Sequence, residues 1–134
     1  MKNDSHLISM TEAAERGNIE AQFFLGLYYY KGKGGTVDMA EGAKWFQLAA
    51  EQGYSEAQFS LGLCYEHGDG VDVDFIEAYK WFLLAEATEK ERVDEMRSAL
   101  TKKMAPEHIA EAHARAKQWH QERKGKKQSH SVKK

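Results

Sequence analysis

Apolar residues along the first two thirds of the chain recur with the spacing of an α-helix. In residues 20–30, and again in residues 56–66, they occupy positions i, i+4 and i+8, which lie on one face of a helix. A second run follows each of these, with a Trp-Phe pair and then a leucine, at 45–48 and at 81–84. The pattern predicts two short helices, A and B, in each stretch of 36 residues.

These helix pairs belong to an internal repeat. Residues 13–48 align with residues 49–84 without a gap, and 21 of the 36 positions are identical. Self-similarity at this period is typical of stacked supersecondary units. The sequence therefore predicts an all-α fold, an α/α superhelical solenoid of helix pairs that winds to the right.

Partial units flank the two complete repeats. Residues 7–17 align with 43–53 and predict a helix B without its helix A. After residue 84 the pattern decays, and Glu89 stands where the earlier units have Gly17 and Gly53. We expect residues 85–122 to form a degenerate repeat with a capping helix that starts at Pro106. The solenoid domain then covers residues 1–122, and residues 123–134 form a disordered basic tail.

The repeat also explains the composition, 11 glycines against one proline. Gly32 and Gly68 are expected to end helix A in the left-handed conformation. Gly26 and Gly62 lie within helix A, where we expect them to admit a second helix at close range. An aspartate precedes helix B in each repeat, followed three residues later by a glutamate, which predicts a capping box: Asp38 and Asp74.

The second repeat resembles the Sel-one-like repeat (SLR), a longer-looped relative of the tetratricopeptide repeat, and the resemblance extends over about residues 7–122. The first repeat departs from the pattern at Gly35 and Gly42, where the second has valine and alanine. SLR proteins are adaptors and scaffolds, so the resemblance implies a protein or peptide partner and a concave surface lined by helix A. The matching residues are Ala49, Gly53, Ala57, Leu61, Gly62, Tyr65, Gly68, Gly70, Val71, Asp74, Ala78, Trp81 and Ala85.

A helical wheel places one face of helix A opposite the stacked face, and we take it as the candidate partner-binding surface. The two repeats differ most on this face, as a partner-specific surface would, although neutral drift of solvated positions gives the same pattern. Phe24 and Tyr28 favour binding, because exposed aromatic side chains on adjacent turns are common interface anchors. The candidate residues are Glu20, Phe24, Leu27, Tyr28 and Lys31 in the first repeat, and Glu56, Ser60, Leu63, Cys64 and His67 in the second.

Charge divides the chain into two parts. The formal net charge is −2, but residues 1–122 carry 13 basic and 21 acidic side chains, whereas residues 123–134 carry six basic and none acidic. The basic tail makes an RNA or anionic-surface adaptor the second alternative function. Because no aromatic residues alternate with these basic ones, the tail lacks the stacking groups of single-strand binders. We therefore do not expect a nucleic-acid partner.

The sequence was also searched for residues that could carry catalysis or hold a metal. The first alternative function is a β-lactamase-like enzyme, since some cysteine-rich SLR proteins bind or hydrolyse β-lactams; those carry paired cysteines in each repeat, and this chain has only Cys64. The acid-rich loop at 67–74 lacks EF-hand spacing, and the histidines of the last helix lack a third zinc ligand. We expect no catalytic, metal or cofactor site.

The single cysteine suits a reducing compartment. The start of the sequence does not resemble a signal peptide, and no apolar run is long enough to cross a membrane. We therefore expect a cytoplasmic protein without a membrane span. The incomplete first repeat leaves the helix at residues 7–15 with an unpaired flank. We expect this flank to permit a homodimer.

Overall fold

The computed structural model describes the backbone of residues 2–132 and the side chains of residues 5–125. Each helix packs chiefly against the helices that precede and follow it in the chain, and no strand occurs in these residues. The predicted all-α solenoid is confirmed; α2 and α4 are the two complete A helices. The helices are α1 (Lys2–Glu15), α2 (Ile19–Lys31), α3 (Met39–Glu51), α4 (Ser55–His67), α5 (Phe75–Thr101) and α6 (Pro106–Val132).

Local sequence sets the ends of these helices. The side chain of Asn18 accepts a hydrogen bond from the amide three residues later and starts α2. Asp38 and Asp74 do the same for α3 and α5, each at 3.0 Å. Helices α2 and α4 end at glycines in the left-handed conformation, with φ of 70° at Gly32 and 74° at Gly68. The predicted glycine and aspartate caps are therefore confirmed.

A glycine in each A helix lets a phenylalanine of helix B lie against its backbone. A Cβ atom added at Gly26 would run into the ring of Phe46, and one added at Gly62 would lie 2.5 Å from Cε1 of Phe82. Both rings are almost completely buried. The two helices of each pair thus approach as closely as the glycines were expected to allow.

The buried side chains form three clusters that follow the order of the helices. The first surrounds Leu25 and joins α1, α2 and α3. The second surrounds Leu61 and Trp81, joins α3, α4, α5 and α6, and has side chains of α2 packed against it. The third surrounds Phe82 and joins α4, α5 and α6. The core is therefore continuous along the stack, although no single cluster spans it.

Polar contacts at equivalent positions connect successive repeats. The side-chain amide of Gln22 donates to the carbonyl of Ala14, and that of Gln58 donates to the carbonyl of Ala50, each at 3.1 Å. Both glutamines are buried, and each joins a helix A to the end of the preceding helix B. Such buried side-chain bonds fix the orientation of neighbouring helices, because the amide would be costly to bury without them.

A second contact between repeats joins the end of α2 to the loop of the second repeat. The hydroxyl of Tyr30 donates to Oδ2 of Asp69 at 2.7 Å. The hydrogen bond to this carboxylate raises the pKa of Tyr30 to about 12, with burial adding to the rise. Asp69 therefore has a structural partner within the fold.

Helix α5 consists of two helical segments, residues 75–88 and 90–101. The backbone leaves the helical conformation at Glu89, with φ −117° and ψ 35°. Glu89 occupies the position of Gly17 and Gly53, both of which turn with positive φ. Without the glycine turn, the chain still changes direction sharply at Glu89, because the guanidinium of Arg97 donates to Glu86 and lies 5.6 Å from the ring centroid of Tyr79. The second segment therefore packs back against the first and serves as helix A of the degenerate pair. Helix α6 then supplies helix B.

Two sequence-based boundaries differ from the structure. Helix α1 begins at Lys2 instead of residue 7, since nothing in residues 2–6 interrupts a helix. The segment expected to be a disordered tail from residue 123 continues as helix to Val132, because Lys and Gln are good helix formers and basic residues suit a helix carboxyl end. Residues 133–134 lie outside the described part.

Candidate functional site

The predicted face of α2 combines exposed charges at its ends with half-buried aromatic groups between them. Glu20 and Lys31 are exposed, and Phe24, Leu27 and Tyr28 are half-buried. Phe24 packs against the first cluster and meets the ring of His6 edge-to-face, with ring centroids 5.8 Å apart. Leu27 packs against the second cluster. This face is thus partly used for packing, and its aromatic groups are held in place.

Tyr28 adds a loop contact to this face. Its ring meets that of Tyr29 edge-to-face at 5.3 Å. Its hydroxyl lies where a Cβ at Gly34 would be, so the glycine lets the loop pass beside the ring. The loop after α2 therefore supports the tyrosine on one side and leaves it half-exposed on the other.

The corresponding face of α4 is more polar. Glu56 and His67 are exposed, while Ser60 and Leu63 are half-buried, with Leu63 packed against the third cluster. Both helices pack against α3, so the structure places the two faces on helices that flank a common neighbour. The candidate surface therefore has an aromatic half on α2 and a polar half on α4.

Cys64 was predicted as a partner-binding residue, and here the prediction is wrong. Its side chain is 1% exposed and belongs to the second cluster. The wheel put it beside the candidate face, but the core extends further around α4 than the wheel indicated, because Cys64 lies in the same buried cluster as Ala57 and Leu61. Burial raises the pKa of the Cys64 thiol to about 12, so the thiolate needed for nucleophilic chemistry is suppressed at neutral pH.

A groove along α3 was missed by the sequence analysis. At one end an open pocket of about 330 Å³ is lined by Leu48 and Val71 among others. At the other end a more enclosed pocket of about 260 Å³ lies between α3, α5 and α6 and is lined by Trp81, Trp119 and Arg123. The sequence gives one weak sign of this groove, the apolar residue Leu48. The repeat pattern could not identify it as exposed, because Leu84 has the same repeat position.

The described residues contain no group of three or more His, Cys, Asp or Glu side chains arranged to hold a metal ion. Two acids of the loop at 67–74 have structural partners: Asp69 accepts from Tyr30, and Asp74 caps α5. None of the helices in the described part is long and apolar enough to cross a membrane.

Comparisons with known proteins agree with this architecture. The family model described as the Sel1 repeat matches residues 19–54 and 55–87. The crystal structure of a protective antigen present in uropathogenic Escherichia coli strains, which displays an SLR fold, has a TM-score of 0.78 and 34% identity, and the match covers 84% of this chain and 24% of the antigen. No curated protein matches the chain.

A Sel1 repeat protein from Oxalobacter formigenes has a TM-score of 0.62 and 29% identity, with 88% of this chain and 52% of that protein covered. The chain therefore spans about a quarter of the first solved structure and about half of the second. Both relatives continue beyond the part that resembles this chain.

Proposed function

Because the chain belongs to the Sel1 repeat family, whose members generally mediate protein interactions, we propose that it is a non-catalytic adaptor that holds a peptide or protein segment on the helix A surface. This surface is formed by the faces of α2 and α4 described above, without Cys64. In the family arrangement it lines the concave side of the solenoid.

One observation carries the proposal. On α2, the half-buried rings of Phe24 and Tyr28 lie on successive turns between exposed charges at Glu20 and Lys31. Rings held by their neighbours lose little conformational freedom on binding, and a charged rim around an apolar centre is the usual anatomy of an interface. A site of only two repeats is short, so we expect modest affinity or a surface extended by a second copy.

Exchanging the exposed charges of Glu20 and Lys31 should test this surface while the protein stays folded. Glu20→Lys combined with Lys31→Glu leaves every buried contact in place but puts unfavourable charges at both ends of the α2 dipole, so we expect a folded protein destabilised by about 0.3–1 kcal/mol at each end. We expect at least a fivefold loss of captured partner in quantitative affinity purification. Rim charges act mainly on association and specificity. The matched control is Glu12→Lys with Lys117→Glu, which exchanges exposed charges on α1 and α6. Equal recovery by wild type and the α2 variant would contradict the proposal.

A second copy of the chain fits the uncovered side of α1. Positions 42, 43, 46 and 49 of α3 are buried, whereas their repeat equivalents on α1 are half-buried or exposed. In α3 these positions face helix A of the same repeat, and α1 has no such partner within the described residues. These positions of α1 contact Phe24 or the first cluster on one side and keep exposed surface on the other: His6, Leu7, Met10 and Ala13.

The expected homodimer can be measured by sedimentation. His6→Glu with Ala13→Glu places four like charges at a symmetric contact, so we expect the sedimentation coefficient to fall from that of a dimer to that of a monomer at micromolar protein. Ile8→Glu, on a different side of α1 where the residue is 58% exposed, should leave the dimer intact. A wild-type chain that sediments as a monomer at these concentrations would rule out this contact.

A further inference from the structure

Helix α1 has the positions that a helix B of this chain uses to hold the helix A of its own repeat. In the repeat alignment Met10 takes the place of Phe46 in α3 and of Phe82 in α5. We propose that the open side of α1 binds an amphipathic α-helix of a partner protein, in the place that helix A takes in the complete repeats. This site rests on the adaptor function proposed above and specifies the kind of partner that α1 receives.

The aromatic residue at this position is enclosed from two sides in a complete repeat. Phe46 shares a buried cluster with Leu61 of the following helix A, and its ring lies against Gly26 of its own helix A. Met10 packs against the cluster that contains Leu25 of the following helix A. It remains half-buried, because no helix precedes α1 in the described residues to cover its other side.

The two complete repeats show which residues cover that second side. The face that each helix A turns toward its own helix B has the pattern Phe-x-x-Gly-Leu, at residues 23–27 and 59–63, and this spacing places the three residues on one face. The ring centroids of Phe23 and Phe46 are 5.8 Å apart, and those of Phe59 and Phe82 are 5.5 Å apart.

The other two residues of the pattern also contact helix B. The glycine admits the ring of the B helix, and the leucine packs against the cluster that contains this ring. A helix that covers α1 in the same way should therefore carry a large apolar residue, a small residue three positions later, and then a leucine.

Met10 relaxes the requirement for a glycine. A Cβ added at Gly62 would lie 2.5 Å from Cε1 of Phe82, and a phenylalanine ring cannot bend away from it. The side chain of methionine is unbranched and flexible, so it adapts to its neighbours. Glycine, alanine and serine therefore all fit opposite Met10, whereas a large side chain does not.

His6 limits the length of the partner helix. It stands at the position of Gly42, where an added Cβ would lie 2.9 Å from the carbonyl oxygen of Gly26 and 3.0 Å from the amide nitrogen of Tyr30. A histidine at this position keeps a helix from approaching as closely, and its ring already meets that of Phe24. Because Tyr30 follows Gly26 by about one turn, the partner helix should end or turn away about one turn after its small residue.

A partner helix and a second copy of the chain compete for this side of α1. Both would cover the half-buried residues of the flank, so the two cannot bind at once. The proposed homodimer should therefore give way to a complex of one chain and one partner helix. Self-association then protects the apolar flank until a partner arrives.

The test is a titration of the chain, labelled with ¹³C at its methionine methyl groups, with a synthetic peptide. The probe has the sequence of residues 55–66, a helix A of this chain, with Cys64→Ala and with acetylated and amidated ends. An isolated helix of this length is only partly formed in water, so we expect a dissociation constant of about 0.1–1 mM. The signal of Met10 is assigned from the spectrum of Met10→Leu.

Two altered peptides test the pattern. Gly62→Phe places a ring where the small residue faces Met10. Cys64→Phe, in place of the alanine, puts the same ring on the other side of the peptide helix. We expect the Gly62→Phe peptide to bind at least about fivefold more weakly than the probe, because the new ring collides with α1. The Cys64→Phe peptide should bind within about twofold of the probe.

The chain itself supplies further controls. The probe should shift the Met10 signal and leave that of Met96, which packs against the cluster shared by α4 and α5 and would report displacement of α4. Ala13→Glu should weaken binding at least about fivefold, since the equivalent Ala49 is fully buried. Ile8→Glu, on a different side of α1, should bind the probe as wild type does.

Three results would overturn the proposal: an unmoved Met10 signal at millimolar probe, equal affinity for the two altered peptides, or an equal effect of Ala13→Glu and Ile8→Glu. The last two would show adhesion to apolar surface in general. A wild-type chain that is a monomer and binds the probe would remove the homodimer and support the partner helix. The Glu20→Lys/Lys31→Glu variant should bind the probe normally, which separates this site from the helix A surface.

Discussion

Phe82→Ala should lower the free energy of unfolding by about 3–5 kcal/mol, the usual loss when a fully buried phenylalanine is truncated. The ring is completely buried, and it fills the space over Gly62 while packing against Phe59, with centroids 5.5 Å apart. Small domains have about 5–15 kcal/mol of stability in total. Chemical denaturation should therefore show a midpoint far below that of the wild type.

The same contact predicts a reversal of sign at Gly62. In the wild type Gly62→Ala should be destabilising by about 1–3 kcal/mol, because the new Cβ would lie 2.5 Å from the Phe82 ring. In the Phe82→Ala background the ring is gone, and the same change should stabilise by up to about 1 kcal/mol through helix propensity. Additive effects in this double-mutant cycle would show that the glycine and the ring do not constrain each other.

Gly70→Ala should also be strongly destabilising, by about 3 kcal/mol, since two costs combine. The residue has φ of 77°, where an alanine costs about 1–2 kcal/mol. A Cβ there would also collide with the carbonyl group of Met39, at the start of α3. Because the obstacle is backbone, relief requires the loop of the second repeat to move away from the first.

Gly35 provides the matched control for this change. It also lies in a loop between helix A and helix B and has a positive φ, 98°, but a Cβ at this position meets nothing within 4 Å. Gly35→Ala should therefore show only the conformational cost, about 1–2 kcal/mol. The difference in thermal stability between the two variants measures the loop contact between repeats. Equal losses would mean that this contact contributes nothing.

The features that the sequence predicted well are those set by neighbours in the chain. Asp38 and Asp74 cap helices through amides three residues away, and Gly32 ends α2 in the only conformation that closes that turn without strain. The tight approach at Gly26 and Gly62 was also predictable, because only close packing compensates for a glycine inside a helix. These features can be predicted without knowledge of the tertiary structure.

The features that were missed depend on the path of distant helices. Leu48 and Leu84 have the same repeat position, yet one is exposed and the other lies in the core with Ala116. Tyr28 and Cys64 are likewise equivalent, and only the tyrosine keeps surface. In the first pair the difference comes from α6, whose Ala116 lies in the same core cluster as Leu84, and in the second pair from the burial of Cys64 inside that cluster. A helical wheel contains no such information.

The bond from Arg123 to the carbonyl of Glu51 spans 72 residues. Contacts in a solenoid usually join only neighbouring repeats. Such chains can therefore fold and unfold one repeat at a time. Here the guanidinium of Arg123, in the final helix, bonds to the last residue of α3 and lies over the ring of Trp119. Fraying of α6 must break this link, which couples the carboxyl end of the molecule to its middle and makes the melting of the stack more cooperative than that of an open array.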